Sequence, residues 1–160
     1  MSRALILLGL AACGGSGSAG NPSCGVAEGV VDRVIDGDTI VLTTGEKIRY
    51  LMIDAPETTD GHHDCYGSNA SQFNTDLVAG KTVKLVYDVQ CTDIYGRLLA
   101  YVTVDDTEVN PLMVERGYAC VLHIPPNGSD RADEFAALQA DARAASRGVW
   151  SCDPLPPACK

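Results

Sequence analysis

Residues 26–57 read VAEGVVDRVIDGDTIVLTTGEKIRYLMIDAPE, three β-strands separated by two short polar turns. Val26, Val30, Val31, Val34 and Ile35 give the first strand its β-branched density. Asp36-Gly37 marks a tight turn, and Thr39-Ile40-Val41-Leu42 begins a second strand. Thr43-Thr44-Gly45-Glu46 turns the chain into a third strand, predicted to run from Ile48 through Ile53. Asp54-Ala55-Pro56 ends this meander.

Beyond Pro56 a polar loop runs to Tyr66, and a helix is predicted over Ser68 to Ala79, with Ala70, Phe73 and Leu77 on one face and Gly80 as its C-cap. Val83, Leu85 and Tyr87 alternate within a fourth strand from Lys81 to Val89, and Leu98 to Val104 reads as the fifth. Asn110-Pro111 reads as an N-cap followed by Pro at the first helical position, with Gly117 ending that short helix. Ser129 or Asp130 caps a last helix whose apolar face carries Phe135, Leu138, Ala142, Ala145 and Val149. The expected fold is a β-barrel with helices (α+β): a five-stranded, partly open Greek-key barrel of the OB type with three helices. A generic α+β sandwich is the alternative.

The 160 residues suffice for one domain, and 46% apolar with 21% charged residues is globular composition. Residues 1–12 have the short basic start and apolar run of a signal peptide. They end in Leu10-Ala11-Ala12-Cys13, which resembles a bacterial lipoprotein signal with Cys13 as the lipidated residue. A plain secretory signal with an incidental Cys is the alternative. Residues 13–23 would be a flexible tether, residues 24–151 the folded domain and residues 152–160 a Pro- and Cys-rich tail. The protein is thus expected outside the cytoplasm, anchored by lipid on the periplasmic or extracellular side of a bacterial membrane, and monomeric.

Cys24, Cys65, Cys91, Cys120, Cys152 and Cys159 form an even set in an exported chain and imply disulfides. Six cysteines allow 15 pairings, and the sequence does not choose among them. Cys24 paired with Cys152 or Cys159 would tie the chain ends together, and bridges among Cys65, Cys91 and Cys120 would pin active-site loops to the barrel. Zinc ligation around His62-His63-Asp64-Cys65 is the rival, and no Cys-x-x-Cys pair supports it. Without Arg3, eleven basic residues face 21 acidic ones, a net charge near −10. That balance argues against broad phosphate-driven binding, so any nucleic-acid chemistry is expected to rest on a local site helped by a metal ion.

Four charged clusters lie at strand ends or turns, where barrels carry sites. Asp36-Gly37-Asp38-Thr39 and Asp54-Ala55-Pro56-Glu57 present carboxylates, Arg49 lies in an otherwise apolar strand, and Asp93-Ile94-Tyr95-Gly96-Arg97 is a glycine turn. Taken singly, each reads as a turn or a solvated strand face. Together, Asp38 and Asp54 offer hard oxygen ligands for calcium, Glu57 a group to hold or deprotonate water, and Arg49 and Arg97 planar forks for phosphate. Phosphodiester cleavage needs those parts.

The runs Val34 to Ile40, Arg49 to Glu57 and Thr92 to Tyr101 resemble, in order, three signatures of the thermonuclease (staphylococcal-nuclease-like) family. Val109 to Ala119 and Gly148-Val149-Trp150 resemble its later landmarks. The resemblance implies an OB barrel with three helices, one calcium ion, and endonucleolytic cleavage of DNA and RNA at the 5′ oxygen, leaving 3′-phosphates. It implies Asp38, Asp54 and the Ala55 carbonyl as calcium ligands, Asp36 behind them, Glu57 as general base, and Arg49 and Arg97 on the phosphate. Tyr95 would lie beside the substrate and His123 would stack on a base. Two positions depart from the family: Ile94 replaces a phosphate-binding Lys, and His123 replaces a stacking Tyr. A catalytically dead binding module on the same barrel is the alternative, and such copies lose the carboxylates or arginines that stand here.

Overall fold

The computed structural model describes residues 23–59 and 61–160. The signal peptide, most of the tether and Cys13 lie outside the described residues. In chain order the elements are β1 (Glu28–Val34), β2 (Thr39–Leu42), β3 (Lys47–Tyr50), β4 (Ile53–Asp54), α1 (Gly67–Val78), β5 (Thr82–Thr92), β6 (Leu98–Val104), β7 (Thr107–Glu108), α2 (Val109–Glu115), β8 (Cys120–Val121) and α3 (Ala132–Ala144). Five strands pair in the order β3-β2-β1-β5-β6, and a parallel pairing of β3 with β6 closes them into a barrel. The barrel is therefore closed rather than partly open: Ile48, Arg49 and Tyr50 lie opposite Leu98, Leu99 and Ala100, so β3 keeps no free edge.

The third strand is shorter than its apolar run suggests. Tyr50 and Leu51 still donate to the carbonyls of Asp38 and Ala100, but Met52 adopts a left-handed φ of 68° and turns a corner. Ile53-Asp54 then pairs with β8 instead of β2. Periodicity could not show this corner, because Leu51, Met52 and Ile53 are buried on both sides of it.

Inward side chains of Val31, Ile40, Leu42, Ile48, Val83 and Val102 fill the barrel. Helix α1 closes one side through Ala70 and Val78, with Phe73 and Leu77 partly buried. Phe135 of α3 and Met113 of α2 are fully buried against the same core. On α3, Ala142 is buried but Ala145 is exposed, and Val149 is buried from a 3₁₀ turn beyond the helix. The Ser129–Arg131 segment is itself 3₁₀ and precedes α3 without a side-chain cap.

Asn110 does not cap α2. The helix starts at Val109 with Glu108 at the cap position, and Pro111 fits the first turn, where amide protons need no helical partner. The buried Asn110 side chain instead accepts from the Val102 amide (2.9 Å) and donates to the carbonyls of Leu51 (2.9 Å) and Ala100 (3.2 Å). It cross-links α2, β6 and the corner.

The disulfides are Cys24–Cys91, Cys65–Cys152 and Cys120–Cys159. The chain ends are not tied to each other, and Cys65, Cys91 and Cys120 do not pair among themselves, because each takes a partner from one of the terminal segments. Each chain end is tied to the body: Cys24 to the end of β5, and the two tail cysteines to the start of α1 and to β8. Cys65 is thereby spent, and the zinc reading of His62 to Cys65 loses its thiolate.

Candidate active site

The β1–β2 turn carries the first carboxylates. Asp36 accepts the Asp38 amide on its own side chain at 2.9 Å, the local bond that makes Asp a turn residue. Gly37 is required by space rather than by conformation, since a Cβ there would lie 2.5 Å from the Ala55 Cβ and 2.9 Å from that of Ala70. The turn is thus pressed between the Asp54-Ala55 segment and α1. Asn74 of α1 secures it, donating to the Asp36 carbonyl (3.1 Å) while accepting the Tyr50 hydroxyl (2.9 Å).

Asp38, 4% exposed, takes the Thr39 hydroxyl on Oδ1 at 3.0 Å and the Ala55 amide on Oδ2 at 2.7 Å. Arg49 lies beside it on β3, 9% exposed. Its Nε is 3.1 Å from Asp38 Oδ1, its Nη2 donates to Asp54 Oδ1 at 2.8 Å, and its Nη1 donates to the carbonyls of Tyr50 (2.8 Å) and Ile53 (2.7 Å). The guanidinium therefore bridges both carboxylates and fastens the Leu51-Met52 corner.

Three carboxylates around one guanidinium leave excess negative charge. Burial, reinforced by the charge of Asp38, holds the Asp36 carboxyl well above the usual range. Burial likewise pushes Asp54 up to about 6, with Arg49 working against it and Asp38 and Glu57 with it. Among the described residues, no group of three or more His, Cys, Asp or Glu converges as a finished metal cage. The donor set still fits one hard divalent cation: Asp38, Asp54 and the Ala55 carbonyl supply oxygens, water can complete the shell, and a cation would offset the burial and neighbouring charge that raise Asp54.

Glu57 sits just past this group. Its Oε1 accepts the Thr59 hydroxyl (2.6 Å) and the amides of Thr59 (2.8 Å) and Thr58 (2.9 Å). The Thr59 hydroxyl is the main reason its carboxyl is held below the usual range. Asp64 accepts the Glu57 amide at 3.1 Å and orders the loop from behind.

Arg97 comes from the β5–β6 turn, where Gly96 supplies a φ of 76°. Asp93 binds both its amide (3.0 Å) and its Nε (2.7 Å), leaving the two Nη groups without a partner among the described residues. Although burial opposes ionisation of Asp93, its bonds to Arg97 and to the Tyr95 and Arg97 amides hold its carboxyl below the ordinary value. The Arg97 guanidinium stands 5.5 Å from the Tyr95 ring centre.

A cavity of about 350 Å³ joins the two arginines. One side is the Arg49-to-Ile53 segment, another the Asp93–Arg97 turn, and a third Leu122, Ile124 and Asn127. Ile94 and Tyr95 stand 90% and 78% exposed at its edge. His123 lies in an exposed loop after β8, and its neighbours Leu122 and Ile124 line the cavity while it does not. Arg49, Arg97 and Tyr95 are thus brought together on the cavity, with Asp38 and Asp54 behind Arg49. Glu57 lies on the carboxylate side. Sequence reasoning missed Asn74, Asp93 as the holder of Arg97, and Asn127. Asn127, 4% exposed, exchanges two hydrogen bonds with the Gln90 backbone (2.7 and 2.8 Å) and docks the third wall onto β5. Only Asp93 carried a signal, its place in an Asp-x-x-Gly turn.

The chain matches the family described as "Staphylococcal nuclease homologue" over residues 47–152. It is 40% identical over 139 residues to an "Uncharacterized endonuclease" of Escherichia coli, covering 84% of both chains. It is 34% identical over 130 residues to the "Thermonuclease" of Staphylococcus intermedius, covering 76% of this chain and 74% of that one. With "Endonuclease YncB" of Bacillus subtilis (strain 168) it is 38% identical over 128 residues, or 76% of this chain and 60% of the relative. The protein belongs to the staphylococcal nuclease homologue family. It spans less than two thirds of some relatives: the match covers 43% of the B. subtilis "SPbeta prophage-derived endonuclease YokF" and 12% of "Endonuclease YhcR".

Proposed function

We propose that the protein is a calcium-dependent endonuclease that hydrolyses phosphodiester bonds of DNA or RNA at the 5′ oxygen, leaving 3′-phosphate ends. The observation that carries this reading is the convergence of Arg49, Arg97 and Tyr95 on one cavity whose inner wall is backed by Asp38 and Asp54. A nuclease must bind a phosphate, neutralise charge that grows on it, and position water in line with the leaving oxygen. Arg97, with its free Nη groups, would grip the phosphate. Arg49, rigidly mounted, would add donors as the guanidinium turns from Asp54 toward the substrate. Asp38, Asp54 and the Ala55 carbonyl would hold the ion, with Asp36 tuning Asp38 from behind through the turn. Calcium, when bound, supplies charge stabilisation at the phosphate and an oriented water. Glu57, kept ionised by Thr59, would hold that water and take its proton. Tyr95 and the apolar wall of Leu122 and Ile124 would receive the adjoining nucleoside, with His123 beside them.

The disulfides support an exported protein, because such bonds persist in oxidising compartments. With the leader ending at Cys13, they favour a lipid-anchored monomer acting outside the cytoplasm. The experiment for the reaction is end-group analysis of a cleaved oligonucleotide. Products resistant to 3′ extension until phosphatase removes a 3′-phosphate support the proposal, and free 3′-hydroxyl ends from the start sink it. Fatty-acid labelling that disappears in Cys13→Ser tests the anchor.

A further inference from the structure

The arginines of this acidic protein are not distributed evenly. Arg33, Arg49, Arg97 and Arg131 each form an ion pair with a carboxylate. Arg116, Arg143 and Arg147 are the described arginines that form none, and all three are exposed. The fold gathers them. Arg147 donates to the Glu115 carbonyl at 3.0 Å, next to Arg116, and its Cβ lies against Gly117. Gly117 and Gly148 meet backbone to backbone, which only residues without a Cβ allow, so the end of α2 is pressed onto the turn after α3. Arg143, in the last turn of α3, places its guanidinium 5.4 Å from the ring centre of Trp150, three residues beyond Arg147. A guanidinium attracted to an indole face still has its planar N–H fork to offer to phosphate oxygens.

This patch is tied to the carboxylate side of the site. Trp150 is two residues from Cys152, which is bonded to Cys65. Cys65 follows Asp64, whose carboxylate holds the Glu57 amide. The disulfide therefore links the arginine-bearing end of α2 and α3 to the Glu57 loop, whereas the Arg97 turn hangs from Cys91 at the end of β5.

We propose that Arg116, Arg143 and Arg147 form a second phosphate-binding surface that holds the nucleic-acid backbone several nucleotides from the bond being cut, on the Glu57 side. This rests on the nuclease reading and adds a length preference to it. Two or three phosphate contacts here would give an otherwise acidic molecule most of its hold on long strands, with a salt dependence set by their number. A strand too short to reach would depend on the cleavage cavity alone.

The test compares the full chain with the triple variant R116E/R143E/R147E and the milder R116Q/R143Q/R147Q, each checked for an unchanged melting temperature. Binding of a labelled 60-nucleotide single strand is measured by anisotropy in chelator across a salt series, and cleavage is followed on that strand and on a 4-nucleotide substrate with calcium. The expected result is affinity for the long strand about tenfold weaker in the charge-reversed protein, a log–log salt slope reduced by about 2, a smaller change of the same sign in the Gln variant, and unaltered turnover of the short substrate. Unchanged long-strand affinity and slope would overturn the proposal. So would loss of binding to phosphatidylglycerol vesicles with DNA binding intact, which would assign the patch to a membrane. A wild-type protein that binds the long strand but cuts neither substrate would break the nuclease reading while the binding arm still decides the patch.

Discussion

Arg49 and Arg97 face one cavity, and the fold treats them in opposite ways. Arg49 grows from a closed barrel strand, is almost wholly buried, and spends its donors on two carboxylates and two carbonyls. Arg97 grows from an exposed turn, leans on one carboxylate through Nε, and has no partner for its forked end among the described residues. The first arginine is part of the architecture and must exchange partners to touch a substrate. The second is presented. A site built on both separates electrostatic stability from reach, and loss of either should look different.

The largest effect is expected from Arg49→Ala. It would take away the proposed phosphate donor and leaves Asp38 and Asp54 without their countercharge, so we expect turnover to fall by about 10³-fold and stability by about 3 kcal/mol. Kinetics and chemical denaturation of one variant check both, and loss of activity at full stability would show that Arg49 is not part of the frame. Arg97→Lys keeps the charge and removes the fork. Turnover should fall on the order of 10²-fold with little change in melting temperature, and near wild-type turnover would reduce Arg97 to a turn residue.

Removing Cys24–Cys91 as C24S/C91S should separate the two arginines further. The bond closes a loop across 67 residues of separation, and its loss should cost about 4 kcal/mol through the unfolded chain. The Arg97 turn begins two residues beyond Cys91, so KM should rise in this variant while Asp38, Asp54 and Arg49 keep their geometry, read as unchanged calcium affinity by calorimetry. Equal loss of calcium affinity would show that the two regions are one unit.

Much of this contrast was legible in the residues. The β1–β2–β3 meander follows from local alternation, and β6 was expected at Leu98 to Val104, where it lies. The Asp36-to-Asp38 turn and the glycine turn at Arg97 carry their chemistry in adjacent residues. What lay beyond reach is long-range. The parallel β3–β6 closure has no local signature, and Asn110 before Pro111 reads as a cap whether or not it ends up buried. Asn74 and Asn127 are ordinary polar residues until the fold places a backbone group opposite each. The disulfide map is of the same kind, because three bridges join segments 39 to 87 residues apart.

The smallest effect concerns pH. Asp36 and Asp54 have folded-state carboxyls above their unfolded values, Asp54 at about 6 against 3.8, so ionising them disfavours the folded state. The stability they contribute is complete below the unfolded value and is lost as pH rises through the folded one. Metal-free protein should therefore melt a few degrees higher at pH 5 than at pH 8 after correction for its remaining groups. D54N should flatten the difference, and an unaltered profile in that variant would remove Asp54 as its source.

The central claim is that these carboxylates and arginines cut phosphodiester bonds with a bound cation, and plasmid cleavage under metal control tests it most directly. Purified protein should degrade plasmid in calcium, stop in excess chelator, resume when calcium is restored, and stay inactive throughout as D38N. Cleavage that continues undiminished in chelator, or no cleavage by the wild-type protein in calcium, would contradict the account.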